Sequence, residues 1–338
     1  MGLSHLGRPA AVNPTLYPPT QPTRYGVIDP VVFGTLCGLV SAAVYTAANA
    51  CLRAVHDLDP VWVSAVKAVP TVGCMIPWML LHYRNGVRLM PRARVLVAIA
   101  AAGLCGQLLG NVSFQWALGQ IGMALTVPLT LGGMIVCASI LGRIFLGEPV
   151  STRMGVAVSV LLVAMAVLSL GADDARRSLA PVASNPWSLV AGVAAAGGSG
   201  LAYSVLNVVI RWSVSRHASL PVTLFTVSIM GLVSLGSVSF LRIGWSGMVA
   251  TSTSDWWIML GAGICNAIAF VALTKSLQLT NVVYVNALNA TQATMAAVAG
   301  VLIFQEAVSK ALVAGVGLTI VGLLLMRKGR AGTAVKPE

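Results

Sequence analysis

Charged residues are scarce in this sequence, and acidic residues are the scarcest of them. Nine Asp and Glu stand against 21 Lys and Arg in 338 positions, and no carboxylate lies in the middle of a long apolar block. Few soluble domains of this size hide a composition that is 57% hydrophobic and 9% charged. The composition therefore excludes an ordinary soluble domain. The missing carboxylates argue against an obligatory proton-carrying acid at membrane depth.

Sequence patterns of several other protein classes are also missing. The six cysteines form no CxxC pair, so neither a zinc site nor a disulfide framework is indicated. No HExxH or GxSxG motif occurs and no pair of aspartates lies within a predicted span, which disfavours a membrane-embedded enzyme. Residues 1–29 hold five prolines and lack the apolar core of a signal peptide, so we expect a disordered cytoplasmic tail. We expect no cofactor and no metal.

The apolar residues come in blocks of about 20, the length that crosses a membrane as a helix. We predict ten spans, at about 30–52, 60–82, 94–117, 121–145, 151–171, 186–210, 220–242, 255–275, 281–304 and 308–326. The net charge of +12 does not indicate nucleic acid, because Lys and Arg lie at the ends of these blocks. Fifteen of the 21 fall in the two tails and every second loop. This bias predicts both termini in the cytoplasm and an inner-membrane location.

A polar stripe occurs twice in the chain. Ser, Tyr, Asn and Arg recur in steps of four residues, and a step of four keeps side chains on one helix face. The first stripe is Ser41, Tyr45, Asn49 and Arg53, and the second, 158 positions later, is Ser199, Tyr203, Asn207 and Arg211. Either serine could instead bond to its own helix backbone.

The repeat extends beyond the stripe. Glu148 and Glu306 are again 158 apart, as are Gly103 and Gly261. Each half holds five predicted spans, and an odd number inserts the second half upside down relative to the first. We therefore predict an all-α integral membrane fold of ten transmembrane helices in two inverted five-helix repeats. The predicted boundaries are 1–29 for the tail, 30–171 for the first repeat, 172–185 for a linker, 186–326 for the second repeat and 327–338 for a basic cytoplasmic tail.

The junction Leu146-Gly147-Glu148-Pro149 before an apolar helix resembles the drug/metabolite transporter superfamily, and within it the EamA family. The last helix fits the Gly-x-x-Leu-x-x-x-Gly pattern of that family from Gly315 to Gly322. The resemblance covers about residues 30–326, although Gln305 stands where the family has Gly. It implies ten helices around a central cavity and transport by alternating access, and it says almost nothing about substrate.

Polar residues within the spans are candidates for the cavity wall, because polar groups in a bilayer face the bundle interior or a wet path. The alternative is hydrogen bonding that only holds helices together. The candidates are Tyr45, Asn49, Lys67, Gln107, Asn111, Tyr203, Asn207, Lys275, Asn286, Asn289 and Gln292. Lys67 lies about seven residues into its span and suits a carboxylate or phosphate ligand, whereas Lys275 is close enough to a span end to snorkel.

Glu148 and Glu306 each precede the last helix of a half, where a carboxylate complements the helix dipole. We interpret both as structural caps, with Pro149 in the first turn. We find no residues that suggest catalysis.

The sequence favours a permease or exporter that moves a small polar metabolite, such as an amino acid or another organic anion, across the cytoplasmic membrane. Two alternatives of other kinds remain open, a lipid-carrier or drug flippase of the same fold and a membrane-embedded enzyme. The expected partners are a small-molecule substrate and the lipid bilayer, without nucleic acid, in a monomer or a homodimer.

Overall fold

The computed structural model describes residues 29–86, 89–121, 123–148, 150–176, 186–304 and 310–328. These residues form helices and no strands, as expected. The helices are α1 (Pro30–Ala54), α2 (Pro60–Arg84), α3 (Ala93–Leu104), α4 (Val112–Ile121), α5 (Met123–Leu146), α6 (Thr152–Arg176), α7 (Pro186–Arg216), α8 (Leu220–Val249), α9 (Thr253–Leu279), α10 (Val282–Asn289), α11 (Thr291–Phe304) and α12 (Lys310–Lys328). Outside the described residues lie most of both predicted tails, residues 177–185 of the predicted linker, Pro149 and Glu306.

Aspartate followed by proline starts the first two helices. Asp29 accepts a hydrogen bond from the backbone N–H of Val31 at 2.8 Å, and Asp59 accepts from that of Val61 at 2.9 Å. A carboxylate at the N-cap satisfies amides that have no partner within the helix, and proline in the first turn has no amide to satisfy. The starts of α1 and α2 therefore follow directly from the sequence.

Within the described residues, three interruptions of the helices differ from the predicted spans. Two lie inside a predicted span, and the third lies just beyond the predicted end of a span at residue 242. A π-helical segment, Cys105–Asn111, joins α3 to α4, and a turn at Ala290 separates α10 from α11. The chain of α8 kinks at Gly244, whose φ of 64° favours glycine, and then continues to Val249. Four candidate polar residues lie at the first two interruptions. Gln107 and Asn111 belong to the π-helical segment, and Asn289 and Gln292 lie on either side of Ala290. Irregular backbone at membrane depth is tolerated where it is buried in protein or lines a cavity.

The two halves of the chain interleave in one bundle. The most extensive helix contacts are α1 with α9, α5 with α7, α6 with α12, and α2 with α8. Each of these pairs joins a helix before residue 177 to a helix after residue 185. The bundle core is therefore shared by both halves rather than built separately in each.

Among the described residues, seven helical stretches are long and apolar enough to cross a membrane. They are Pro30–Ala54, Pro60–Arg84, Ala93–Ile121, Thr126–Leu146, Val190–Ser215, Leu220–Val249 and Thr253–Leu279. Large apolar side chains such as Leu80 and Leu241 point out of the bundle, as a lipid-facing surface requires. The chain is a multi-pass membrane protein. The count of ten spans and the inversion of the second half stay predictions, and α6 and α12 hold shorter apolar stretches, Thr152–Val167 and Val313–Gly322.

Candidate functional site

A central cavity of about 130 Å³ lies between the helices of both halves. Its polar lining comprises Tyr45, Asn49, Lys67, Gln107, Asn111, Thr130, Tyr203, Asn207, Ser228, Asn266, Asn289 and Gln292. Apolar side chains complete the wall, among them Phe114, Met134 and Phe270. A mostly apolar pocket with a few convergent polar groups is the usual form of a small-molecule site.

Nine of the eleven candidate residues line this cavity, namely Tyr45, Asn49, Lys67, Gln107, Asn111, Tyr203, Asn207, Asn289 and Gln292. They reach it from α1, α2, the π-helical segment, α7, α10 and α11. The structure thus brings together polar residues that are far apart in sequence. Their role in substrate binding stays a prediction.

Two candidate residues do not line the cavity. The Lys275 ammonium donates to Gln278 Oε1, 2.9 Å away, one turn further along α9. Asn286 is fully buried and accepts a hydrogen bond from Asn207 Nδ2 at 2.9 Å. Asn286 therefore supports a lining residue from behind.

Lys67 is the only charged residue in the cavity lining formed by the described residues, and its side chain is nearly buried, with 6% exposed. Its ammonium donates to Asn111 Oδ1 at 2.7 Å. Tyr203 donates its hydroxyl proton to the same oxygen at 2.6 Å. No carboxylate among the described residues pairs with Lys67. A buried cation held by a neutral amide has spare capacity for an anion.

The orientation of Asn111 is determined by further hydrogen bonds. Asn111 Nδ2 donates to Gln107 Oε1, and Gln107 Nε2 donates to the backbone carbonyl of Val227 at 3.4 Å. A carbonyl can only accept, so this chain of bonds directs the Asn111 amide nitrogen toward Gln107 and its oxygen toward Lys67 and Tyr203. Both amides belong to the π-helical segment.

Glycines make room for this group of side chains. A methyl group on Gly110 would lie 2.8 Å from Cε1 of the Tyr203 ring, and one on Gly231 would lie 2.5 Å from Cδ of Gln107. Both distances are far below van der Waals contact. The two glycines therefore let the network form between the π-helical segment, α7 and α8.

The asparagines of the two stripes have related contacts. Asn49 Nδ2 donates to Gln292 Oε1 at 3.4 Å, and Asn207 Nδ2 lies 3.4 Å from the Met134 sulfur. Asn49 and Asn207 are 158 positions apart, and so are Met134 and Gln292. The same pair of positions is thus in contact in both copies of the repeat.

Three polar lining residues were not among the candidates, Thr130, Ser228 and Asn266. Ser228 follows Lys67 by 161 positions, the offset that also relates Pro60 to Pro221, so a repeat alignment with that small insertion would have found it. Asn266 is the one Asn, Gln or charged residue between Asp255 and Lys275, which is a signal in itself. Thr130 carries no comparable signal.

The Glu148 carboxylate lies at a junction between the halves, and within the described residues its partners belong to the other half rather than to α6. It accepts from Arg211 Nε at 2.9 Å and from the backbone N–H of Val282, the first residue of α10, also at 2.9 Å. Arg211 Nη1 further donates to the carbonyl of Leu277 at 2.8 Å, near the end of α9. The carboxylate thus lies at the positive end of the α10 dipole, whereas the sequence analysis places it at the start of α6.

Arg53, at the end of the first stripe, also reaches a helix end. Its Nη1 donates to the carbonyl of Leu118 at 3.1 Å, in the last turn of α4. Among the serines of the stripes, Ser199 donates to the Ala196 carbonyl of its own helix at 2.7 Å, which is the backbone bond considered above.

Residues 190–328 match the sequence model of the EamA-like transporter family. The resemblance to the EamA family is confirmed over these residues, which do not include the Leu146–Pro149 junction. No curated protein matches the chain. A solved structure described only as "Crystal structure of protein" has the same fold, with a TM-score of 0.64 and 18% identity over 88% of this chain and 99% of that one.

Proposed function

We propose that the chain, whose residues 190–328 match the EamA-like transporter family, is a membrane transporter of that kind and acts as a permease or exporter for a small organic anion. The substrate binds in the central cavity and crosses the cytoplasmic membrane by alternating access. The observation that carries the proposal is Lys67, a nearly buried cation in the cavity wall without a carboxylate partner among the described residues.

The repeat supports a site shared by two inverted halves. Tyr45 and Tyr203 both line the cavity, and so do Asn49 and Asn207, each pair 158 positions apart. The 158-residue repeat therefore relates each of these lining positions in one half to a lining position in the other half. A site on such a pseudo-two-fold axis can open to either side of the membrane when one half rocks against the other.

The distribution of basic residues supports a cytoplasmic location for both termini. Of the 21 Lys and Arg, fifteen fall in the tails and in every second loop. Positively charged loops stay on the cytoplasmic side during insertion. We therefore infer that both termini are cytoplasmic and that the protein lies in the inner membrane.

An anionic substrate follows from the energetics of Lys67. An unpaired ammonium at bilayer depth is costly, and a ligand carboxylate or phosphate removes part of that cost on binding. Hydrogen bonds to charged groups contribute about 1.5–3 kcal/mol each, which corresponds to roughly 10- to 100-fold in affinity.

The test is transport by the purified protein in liposomes with a panel of labelled small organic anions, zwitterions and amines. Lys67→Gln keeps a donor for Asn111 and removes the charge, so we expect transport of the anionic substrate to fall at least tenfold. The matched control is Lys275→Gln, because Lys275 lies outside the cavity lining. Wild-type kinetics in Lys67→Gln would contradict an anionic substrate, and no transport of any compound by folded wild-type protein would contradict the permease.

A further inference from the structure

We propose that Lys67 and Tyr203 form a two-donor site for one carboxylate oxygen of the substrate, and that the Asn111 amide oxygen occupies this position until the substrate binds. This inference rests on the proposed transport function and specifies its binding chemistry. It assigns Asn111 as the residue that the substrate displaces and Tyr203 as a specificity-determining residue.

The geometry around Asn111 Oδ1 is that of a bound anionic oxygen. An ammonium approaches to 2.7 Å and a phenol hydroxyl to 2.6 Å, and both donate to the same atom. Distances in this range are typical of hydrogen bonds to charged acceptors. A carboxylate oxygen has the same two lone pairs and the same planar trigonal carbon beside it, so it fits where the amide oxygen lies.

The substrate oxygen is the stronger ligand for this pair of donors. An ionised carboxylate forms a charge-assisted bond with Lys67, whereas the amide of Asn111 offers only a partial charge. Exchange of one oxygen for the other leaves neither donor without a partner, so the penalty for burying an unpaired donor does not arise. Asn111 remains attached to Gln107 through its amide nitrogen.

The two donors belong to different halves of the chain. Lys67 is on α2 and Tyr203 is on α7. An anion held by both therefore bridges the halves across the cavity. Recognition of the carboxylate is in this way coupled to the relative position of the two halves.

The rest of the wall determines what the carboxylate is attached to. Phe114, Leu131, Met134 and Phe270 face the cavity, and the described lining holds no Asp or Glu that would pair with an ammonium group. Phe114 also packs edge-on against the Tyr203 ring, with 6.4 Å between ring centroids. Apolar side chains and uncharged polar groups share this wall, so the geometry favours a monocarboxylate with an uncharged body.

The experiment compares phenylacetate with phenylacetamide, its uncharged isostere, by the melting temperature of the purified full-length protein. A ligand that binds only the folded protein raises this temperature. We expect phenylacetate to stabilise the wild type and phenylacetamide to have little effect. Equal effects of the two compounds would overturn the inference.

Asn111→Asp is the most informative variant, because it places a carboxylate at the atom that both donors already contact. We expect a higher melting temperature without ligand and no further rise with phenylacetate, since the internal carboxylate occupies the site. Asn266→Asp adds the same charge elsewhere in the lining, and we expect no rise without ligand and a smaller loss of the phenylacetate effect. A phenylacetate effect of wild-type size in Asn111→Asp would overturn the inference.

Tyr203→Phe tests the second donor even if Asn111→Asp does not fold. It removes one hydroxyl, and we expect the Kd for phenylacetate to rise about tenfold, the effect of losing a hydrogen bond to a charged group. An unchanged Kd would exclude Tyr203 from the site. If phenylacetate does not bind while the wild type still transports an anion that Lys67→Gln does not, the two-donor site is wrong and the proposed transport function stands.

Discussion

The two polar stripes carry the same four residue types at the same spacing, but the second is held far more firmly than the first. Tyr203 donates to Asn111, whereas Tyr45 has no hydrogen-bond partner within the described part of the chain. Asn207 donates to Asn286 at 2.9 Å, while the bond from Asn49 to Gln292 measures 3.4 Å. Likewise, Ser199 is bonded to Ala196, and the buried Ser41 hydroxyl has no partner among the described residues.

The difference arises from the neighbouring helices. The second stripe faces the π-helical segment, whose Asn111 reaches across to it, and it crosses α5 closely enough to require glycine at position 200. The first stripe faces α9 and α11, and residue 42, the equivalent of residue 200, is alanine. Equal sequence stripes thus make unequal contacts. The second is bonded to neighbouring helices, whereas Ser41 of the first has no hydrogen-bond partner among the described residues.

The largest expected effect is at the end of the second stripe. Arg211→Met removes one partner of an ion pair whose side chains are only 21% and 15% exposed. We expect a loss of about 3 kcal/mol in the free energy of unfolding, because Glu148 is left without its cation. Denaturant unfolding in detergent measures this loss.

The matched control is Arg242→Met. Arg242 pairs with Asp59, but its side chain is 58% exposed, so we expect a loss of less than about 1 kcal/mol. Equal losses in the two variants would show that burial does not distinguish the pairs.

The next largest loss of stability is expected for Gly200→Ala. An added methyl group would overlap the Thr130 carbonyl oxygen on α5, and backbone cannot move aside as a side chain can. We expect destabilisation of about 2 kcal/mol from overpacking. Gly261→Ala, where nothing lies within 4 Å, is the control and should stabilise or have no effect. The melting temperatures of both variants in detergent test this prediction. An unchanged melting temperature in Gly200→Ala would mean that α5 and α7 can move apart to accommodate the methyl group.

A smaller difference is expected between the two stripe asparagines. Asn207→Ala leaves Asn286 Oδ1 buried without its donor, at a cost of about 1–2 kcal/mol. Asn49→Ala breaks only the 3.4 Å contact with Gln292, and we expect less than about 1 kcal/mol. The same melting experiment applies. A larger loss in Asn49→Ala would reverse the ranking of the stripes.

The smallest effect on stability is expected at the tyrosines. Tyr203→Phe removes one hydrogen bond, worth about 1 kcal/mol, and Tyr45→Phe removes none that the described residues form. Melting temperatures should fall for the first variant and stay within error for the second. A fall in Tyr45→Phe of equal size would reveal a partner for that hydroxyl.

The helical membrane class and the starts of the first helices were predictable from the sequence. Helix starts at Asp29 and Asp59 follow from capping chemistry, and the membrane class follows from hydropathy. The interruptions at the π-helical segment and at Ala290 were not predictable, because π-helical geometry has no local residue signature comparable to proline. Span nine is therefore predicted as one helix and observed as two.

The site was predictable to the extent that polar residues are repeated. The 158-residue offset selected Tyr45, Asn49, Tyr203 and Asn207, all of which line the cavity. Lys275 was selected only as a cation near a span end, and helical geometry turns it toward Gln278 instead. Asn266, without an equivalent in the other half, was missed although it lines the cavity.

By itself, the sequence determined that this chain crosses a membrane several times, where its first helices begin, and that it carries one polar stripe in duplicate. These properties depend on hydropathy and on spacing within a few helical turns. Only the tertiary structure decided that Asn111 receives both Lys67 and Tyr203, 44 and 92 residues away, and that Glu148 meets Arg211 and the start of α10. The physical reason is that helix packing chooses these partners, and packing depends on where glycines allow helices to approach.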